Sequence, residues 1–315
     1  VTVLNTWGAS PRPIGSLFAF NVDQFKQVGS LSGGCIEEDL IQFLAQQPLV
    51  ISESENTSSS QDNRKPTSFF LKLYGDKDGD RERYLLPCGG TLELLIEPLF
   101  DDRQYHHFSE IKRHLTAHIP IARLIDFTES KISYSLDIDK KIHNNSQVLI
   151  FEHASYKLFH RLDPLYKLLI IGAGDVAYYV AELAKSLDFN VAICEPRKKY
   201  AERLITVDDT IVHYCLPDDL IKSDFAGPNA AIICLAHDPK VDDMALLEAL
   251  TNAEAFYVGA MGSIKTTESR MQRLKMLGIK EEQLARLHAP IGVNIHSKTP
   301  QEIAVSIIAE LISAR

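Results

Sequence analysis

The pattern of hydrophobic and polar positions changes near residue 164 and predicts a different fold class on each side. Before that point, short β-type runs such as 1–7, 69–74 and 91–98 alternate with turn residues. The stretch 104–118 predicts a helix, which Pro120 ends. We therefore expect an N-terminal domain of mixed α+β structure over residues 1–163.

After residue 164, continuously apolar runs alternate with amphipathic stretches. Runs 165–171, 190–194, 230–235 and 255–258 are typical of parallel strands buried on both faces. Their alternation with helices predicts a Rossmann-like, doubly wound parallel sheet over residues 164–315. The last helix has Thr299 as N-cap and Glu302 completing a capping box, and we expect a buried face formed by Ile303, Ile307, Ile308, Leu311 and Ile312.

A glycine motif follows the first of these buried strands and opens a helix. Gly172 is predicted to make the tight turn, Gly174 to let a phosphate approach the backbone, and Ala177 to allow close packing. Glu195 ends the next strand, 21 residues after Gly174, where it could accept a ribose hydroxyl. Arg197 either helps a phosphate to bind or is simply solvated. NAD(P) or another nucleotide is the implied ligand.

Two later strand ends carry further candidates. His237 and Asp238 follow strand 230–235, and His237 is a base, a ligand, an orienting group or a loop histidine that caps the next helix. Gly259 and Gly262 form a second candidate anion-binding turn. The helix after that turn is basic, and we expect a solvated face for Lys265, Arg270, Arg273 and Lys275.

Two cysteines stand beside glycine pairs in the N-terminal half. Gly33 and Gly34 precede Cys35, and Gly89 and Gly90 follow Cys88. Such glycines let backbone amides converge on an anion. Apolar positions 36, 40, 41 and 44 predict a helix over 36–47, so Cys35 would start it, where the helix dipole favours a thiolate. We expect Cys35 and Cys88 to share one pocket; the alternative is that both are small buried hydrophobes.

Composition narrows the class of protein. A net charge of −9 argues against a nucleic-acid surface, and apolar runs are too short to span a membrane. Five cysteines without framework spacing fit a reducing cytoplasm, and Cys194, Cys215 and Cys234 are expected in the core. His107, His114 and His118 are expected to form a polar surface stripe, with a metal pair at 114 and 118 as the alternative. The chain starts without Met inside an apparent strand, which is compatible with residues upstream.

The motifs resemble the xanthine dehydrogenase accessory factor (XdhC/CoxI) family over nearly the whole chain. The matching stretches are 6–13, 29–37, 87–93, the glycine motif at 172–177, 257–263, 288–292 and 299–304. The resemblance implies a cofactor chaperone rather than a turnover enzyme. Such a chaperone would hold a molybdopterin-type molybdenum cofactor and deliver it to a xanthine or carbon monoxide dehydrogenase-type client.

The resemblance also implies a cysteine desulfurase partner, a homodimer, and Cys35 as a molybdenum ligand or sulfur-handling thiol. The cofactor-binding residues it suggests, with those from the strand ends, are Gly33, Gly34, Cys35, Glu37, Cys88, Gly89, Gly90, Gly172, Gly174, Glu195, His237, Asp238, Gly259 and Gly262. Asp175 stands where family members often carry histidine. The alternatives are an NAD(P)-dependent oxidoreductase or a nucleotide-sensing module that uses the Rossmann-like domain.

Overall fold

The computed structural model of the protein describes residues 1–7, 12–31, 35–46, 69–75, 91–99, 102–127, 133–137, 148–201 and 210–315. The chain divides into two compact units, Val1–Pro164 and Leu165–Arg315. Among the described residues, no helix is both long and apolar enough to cross a membrane.

The first unit contains a three-stranded antiparallel sheet packed against a helix. Strands β1 (Thr2–Trp7), β4 (Phe70–Tyr74) and β5 (Thr91–Ile96) pair in the order β1-β5-β4. Helix α1 (Cys35–Gln46) buries Ile36 and Leu40 in the same core as Val3 and Leu94. A separate hairpin joins β2 (Phe18–Asn21) to β3 (Lys26–Gly29).

A second antiparallel sheet completes this unit as far as the structure describes it. Strands β6 (Ile121–Asp126), β7 (Ser133–Asp137), β8 (Leu149–Glu152) and β9 (Lys157–Leu162) pair in the order β7-β6-β9-β8. Helix α2 (Asp102–Thr116) packs against β6 and β7. Strand β9 lacks an alternating pattern, and the sequence analysis missed it.

His107 and His114 are buried, so the predicted surface stripe is wrong for these two; His118, beyond the end of α2, is half-buried. The buried positions follow helical spacing and therefore lie on one face of α2: Gln104, His107, Ile111 and His114. Burial, with the nearby Arg123 guanidinium, lowers the pKa of His107 to about 4. Burial and Arg123 also lower the pKa of His160, on β9, to about 3. Arg123 itself is fully buried and paired with Glu97.

The second unit is built on a parallel sheet, as predicted, and this sheet has six strands. Its strands are β10 (Lys167–Ile171), β11 (Asn190–Cys194), β12 (Ile211–His213), β13 (Ala230–Cys234), β14 (Tyr257–Ala260) and β15 (Leu287–His288). Their spatial order is β12-β11-β10-β13-β14-β15. This is the 3-2-1-4-5-6 order of dinucleotide-binding folds, whose direction of winding reverses between the first and fourth strands.

Helices cover both faces of this sheet. Helices α3 (Asp175–Ser186) and α9 (Pro300–Ser313) share one core, and α6 (Pro239–Thr251) and α7 (Ile264–Met276) share the other. Shorter helices are α4 (Lys198–Ala201), α5 (Pro217–Leu220), which continues as a π-helical turn over Ile221–Phe225, and α8 (Glu281–Leu284). Thr299 and Glu302 form the predicted capping box. Ile312, predicted to be buried, is 40% exposed because it lies beyond the stripe that faces the sheet.

Candidate functional site

Cys35 is the first residue of helix α1, as the sequence predicts. Glu37, in the first turn, ties this helix to the segment that precedes the glycine pair. Its Oε1 accepts a hydrogen bond from the Ser30 hydroxyl at 2.6 Å and another from the Leu31 amide at 2.7 Å. The Glu37 carboxylate therefore links the first turn of α1 to residues 30 and 31; a direct contact of Glu37 with cofactor stays a prediction.

The remaining candidates of the two Gly-Gly/Cys motifs lie outside the described residues: Gly33, Gly34, Cys88, Gly89 and Gly90. A shared pocket for Cys35 and Cys88 therefore stays a prediction. Residues 84–86, where the sequence predicts a further strand, and residues 52–66, which are polar and rich in Ser, Asn and Asp, also lie outside the described residues.

The candidate residues of the second unit meet at the carboxyl edge of its sheet. Parallel pairing in register puts Ile171 beside Cys194 on one side and Cys234 on the other. The loops after β10, β11 and β13 therefore start at the same level. In open α/β sheets ligands bind outside this edge, at the place where the winding reverses. Here that place lies between β10 and β13, and we call it the crevice.

Gly172 and Gly174 have different roles in the loop after β10. Gly172 has φ +103°, and a Cβ there would lie 2.5 Å from Ala236 Cα, so the loops after β10 and β13 touch at this residue. Gly174 is the N-cap of α3 and exposed, and a Cβ there would meet no atom within 4 Å. A ligand could therefore approach the backbone at Gly174 and not at Gly172. Ala177 is fully buried, which agrees with its predicted packing role.

Glu195 is fully buried and bonded by Arg197. Oε1 accepts from the Arg197 Nε at 2.8 Å and from its backbone amide at 2.9 Å, while Oε2 accepts from Nη2 at 2.9 Å. The third guanidinium nitrogen, Nη1, donates to Asp238 Oδ2 at 3.3 Å. These bonds raise the pKa of Arg197, the Glu195 hydrogen bond contributing most. Acceptance of a ribose hydroxyl by Glu195 stays a prediction.

Asp238 and His237 form the loop after β13. Asp238, not His237, caps α6: its Oδ1 accepts from the Lys240 amide at 3.0 Å. The alternative that His237 caps the helix is therefore wrong. His237 is exposed and takes a left-handed conformation with φ +55°. It lies in the loop after β13, at the carboxyl edge of the sheet, and its role toward a ligand stays a prediction.

The turn after β14 lies over a buried ion-pair network. Arg270 is 3% exposed and contacts Asp242 Oδ2 at 3.3 Å and the Met261 carbonyl at 3.1 Å. Arg273 pairs with Asp243 through Nε and Nη2. The predicted solvated basic face is therefore wrong for Arg270, because its charge is neutralised by α6. Burial raises the pKa of Asp242 to about 6, although Arg270 opposes this shift.

Packing partly explains why positions 259 and 262, at the end of β14 and in the turn after it, are glycines. Gly259 lies inside β14, where a Cβ would come within 2.5 Å of Ile291 Cδ1. Gly262 lies in the turn itself, with Thr266 and Arg270 3.2 to 3.4 Å from the position of a Cβ. Ser263 N-caps α7 by accepting from the Thr266 amide. Anion binding by Gly259 and Gly262 stays a prediction.

Two cysteines of the second unit are unreactive core residues. Cys194 and Cys234 are fully buried, and Cys215 is half-buried. Burial raises the pKa of Cys194 to about 12 and raises that of Cys234 well above its ordinary value. Neither thiol ionises near neutral pH. No group of three or more histidine, cysteine or carboxylate side chains within the described ranges is arranged to hold a metal ion.

Sequence reasoning missed the link between the loops after β11 and β13. For Arg197 the sequence predicts only a solvated position or a contact with a phosphate. The signal that could have found the link is the strand order, since it places the ends of β11 and β13 on either side of β10. An arginine at one end and a carboxylate at the other can then pair across the crevice.

Comparisons with known proteins agree with this architecture. A model of the XdhC Rossmann domain matches residues 168–311, and a model of the XdhC and CoxI family matches residues 1–53. A crystal structure described as a xanthine dehydrogenase from Bacillus halodurans superposes with a TM-score of 0.73. It covers 99% of this chain and 90% of that chain at 22% identity, which supports the fold alone.

Three known proteins are similar to this chain in sequence. A Bacillus subtilis protein, described as a probable xanthine dehydrogenase subunit, is 21% identical across all of this chain and 92% of its own length. The Escherichia coli molybdenum cofactor insertion chaperone PaoD is 24% identical across all of this chain and 82% of its own. The E. coli protein YqeB is 29% identical over 150 residues, which are 47% of this chain and 27% of that protein. Models of the XdhC and CoxI family thus match stretches in both units, and the chain is similar to this family along most of its length.

Proposed function

We propose that the protein binds a molybdopterin-type molybdenum cofactor and serves in the maturation of xanthine or carbon monoxide dehydrogenase-type molybdoenzymes. The observation that carries this proposal is the match across the whole chain to a relative named a molybdenum cofactor insertion chaperone. The match to a probable xanthine dehydrogenase subunit, which also spans the whole chain, supports the class of client. On this proposal the protein is a cofactor chaperone and not a turnover enzyme.

The position of Cys35 supports a role in handling the metal or its sulfur. The cysteine starts a 12-residue helix, where unpaired backbone amides and the helix dipole favour a thiolate. A thiolate is a soft ligand suited to a soft metal centre. The thiols of Cys194 and Cys234 have raised pKa values and cannot serve in this way.

The carboxyl edge of the parallel sheet supports a role of the second unit in binding a phosphate-bearing ligand. A molybdopterin-type cofactor carries a phosphate, and Gly174 leaves its backbone open to a ligand at the start of α3. We further propose a dehydrogenase client, a cysteine desulfurase as sulfur donor, a homodimer and a cytoplasmic location. The dehydrogenase client and the cysteine desulfurase are the partners that the family resemblance implies.

The proposal is tested by isolating the protein from a molybdenum-replete host without oxygen. Molybdenum is measured by mass spectrometry, and pterin by fluorescence after oxidation. The parent protein is expected to carry both, and Cys35→Ala to lose at least about tenfold of the molybdenum, because the metal loses a thiolate ligand. Cys215→Ser removes a thiol outside the motif and is expected to keep the parent loading.

Cys35→Ala is expected to fold, because alanine is a good helix former at the start of α1. Far-UV circular dichroism checks this. Full loading of the folded Cys35→Ala protein contradicts the role of the thiol. A parent protein that carries neither molybdenum nor pterin, and does not activate a dehydrogenase client in extracts, contradicts the proposed function as a whole.

A further inference from the structure

We propose that Arg197 is the anion-binding residue of the crevice, and that Asp238 occupies the place of a ligand phosphate in this structure. The inference rests on the proposed function, because a phosphate-bearing cofactor is the ligand which that function requires. It assigns to the second unit a ligand class, a nucleotide or pterin phosphate, and a residue that receives it.

The Arg197 guanidinium is held in place before any ligand arrives. Nε and Nη2 are bonded to the two oxygens of Glu195, whose side chain is completely buried. The Tyr200 ring lies 4.3 Å from the guanidinium carbon and supports its face. A cation fixed on two sides can receive an anion without losing further conformational freedom.

The remaining nitrogen, Nη1, reaches across the crevice. Arg197 follows β11 and Asp238 follows β13, and β10 lies between these strands. Neighbouring strands are about 4.8 Å apart, so the two loops start about 10 Å from each other. The Arg197–Asp238 contact therefore bridges the end of β10, where the Gly172 to Gly174 turn opens α3. Ligands of this fold bind at that point.

The contact between Arg197 and Asp238 is weak enough for a ligand to replace Asp238. It is 3.3 Å long, and the two side chains are 31% and 33% exposed, whereas Glu195 is at 0%. Exposed ion pairs of this kind are weak. A phosphate offers more acceptor oxygens and up to two negative charges, and it suits a guanidinium better than a single carboxylate oxygen does. The ligand phosphate would then replace Asp238 on Nη1.

Asp238 can release Arg197 without disturbing the fold. Its Oδ1 accepts from the Lys240 amide and caps α6, and only Oδ2 contacts Arg197. Asparagine caps helices as well as aspartate does. Asp238→Asn therefore keeps the cap, removes the competing charge and leaves Arg197 on Glu195.

Isothermal titration calorimetry with CTP, NAD⁺ and cytidine at about 0.15 M salt tests the inference on the full chain. Asp238→Asn is expected to bind the phosphate-bearing probes at least about tenfold more tightly than the parent, a difference of about 1.4 kcal/mol. Cytidine carries no phosphate, and the substitution is expected to leave its binding unchanged. Arg197→Ala is expected to abolish the tighter binding when combined with Asp238→Asn.

Asp188→Asn is the matched control. Asp188 is exposed in the connection from α3 to β11, at the opposite edge of the sheet, and has φ +63°, which asparagine also tolerates. It changes the net charge by the same amount and is expected to shift affinity by less than about twofold. Since Arg197→Ala leaves the buried Glu195 carboxylate unpaired, Glu195→Gln with Arg197→Ala is measured beside it, and thermal melts report folding.

Equal affinity of the parent and Asp238→Asn for both phosphate probes overturns the inference, as does an equal gain for cytidine or for Asp188→Asn. Absence of binding of both probes to Asp238→Asn overturns it as well. Molybdenum loading is a separate readout. Loading without the Asp238 effect leaves the chaperone proposal standing alone, and the Asp238 effect without loading leaves the crevice assignment standing alone.

Discussion

Gly172→Ala should destabilise the second unit more than any other glycine substitution in the loop after β10. Gly172 has φ +103°, a conformation that residues with a Cβ rarely adopt. An alanine Cβ would lie 2.5 Å from Ala236 Cα and 2.6 Å from Ala236 N, both backbone atoms. The loop after β13 would therefore have to move, because no flexible side chain can give way.

The magnitude follows from two costs. A residue with a Cβ in such a backbone conformation costs about 1–3 kcal/mol. Moving Ala236 Cα from 2.5 Å to an ordinary contact of 3.4 Å overpacks the edge of the sheet and costs a further 1–3 kcal/mol or so. We expect a total loss of about 2–6 kcal/mol, a large part of the 5–15 kcal/mol or so that stabilises a typical domain.

Urea unfolding followed by far-UV circular dichroism measures this loss, with hydrogen exchange of the β10, β11 and β13 amides to assign it to the second unit. Gly174→Ala is the paired control, since its Cβ meets no atom within 4 Å and it should cost about 0.5–1 kcal/mol as an N-cap change. A loss below about 1 kcal/mol for Gly172→Ala, where strain alone should reach that value, would refute this reasoning.

Two further predictions concern buried polar groups. His107 and His160 stay neutral in the folded protein with pKa values of about 4 and about 3, but their ordinary value is 6.5. Below pH 6.5 these histidines take up protons in the unfolded chain only, so the free energy of unfolding should fall by about 1.4 kcal/mol per pH unit for each histidine as the pH drops toward 4. Urea unfolding midpoints at pH 7, 6 and 5 measure this fall. His160→Leu should make the dependence on pH less steep. Glu310→Gln should cost about 1–3 kcal/mol in urea unfolding, because its carboxylate accepts from the Tyr257 hydroxyl, the Gly292 amide and His288; an unchanged midpoint would refute that role.

The parallel sheet could be predicted because its sequence signals are local. Four apolar runs, each short and buried on both faces, can form little else once helices alternate with them. The glycine motif and the capping box of α9 are also local patterns, and the structure has both. Strands β12 and β15 are only three and two residues long, so no periodicity reveals them.

The polar interior could not be predicted because its partners are distant in sequence. Arg270 looks like a surface residue until α6 brings Asp242 to it across 28 positions. Arg197 and Asp238 are 41 positions apart. The histidines of α2 follow the same spacing as a solvated stripe would, and only the sheet packed against α2 decides which face is buried.

The hydrogen bonds to Glu37 also bear on the conformational entropy of the chain around the start of α1. Ser30 and Leu31 are attached to the first turn of α1, so the chain entering the motif and the helix leaving it form one closed ring of covalent and hydrogen bonds. The entropy of closing this ring is lost during folding, not during capture of a ligand. Glu37 thus removes chain entropy at the start of α1 before any ligand binds, although the carboxylate need never touch that ligand.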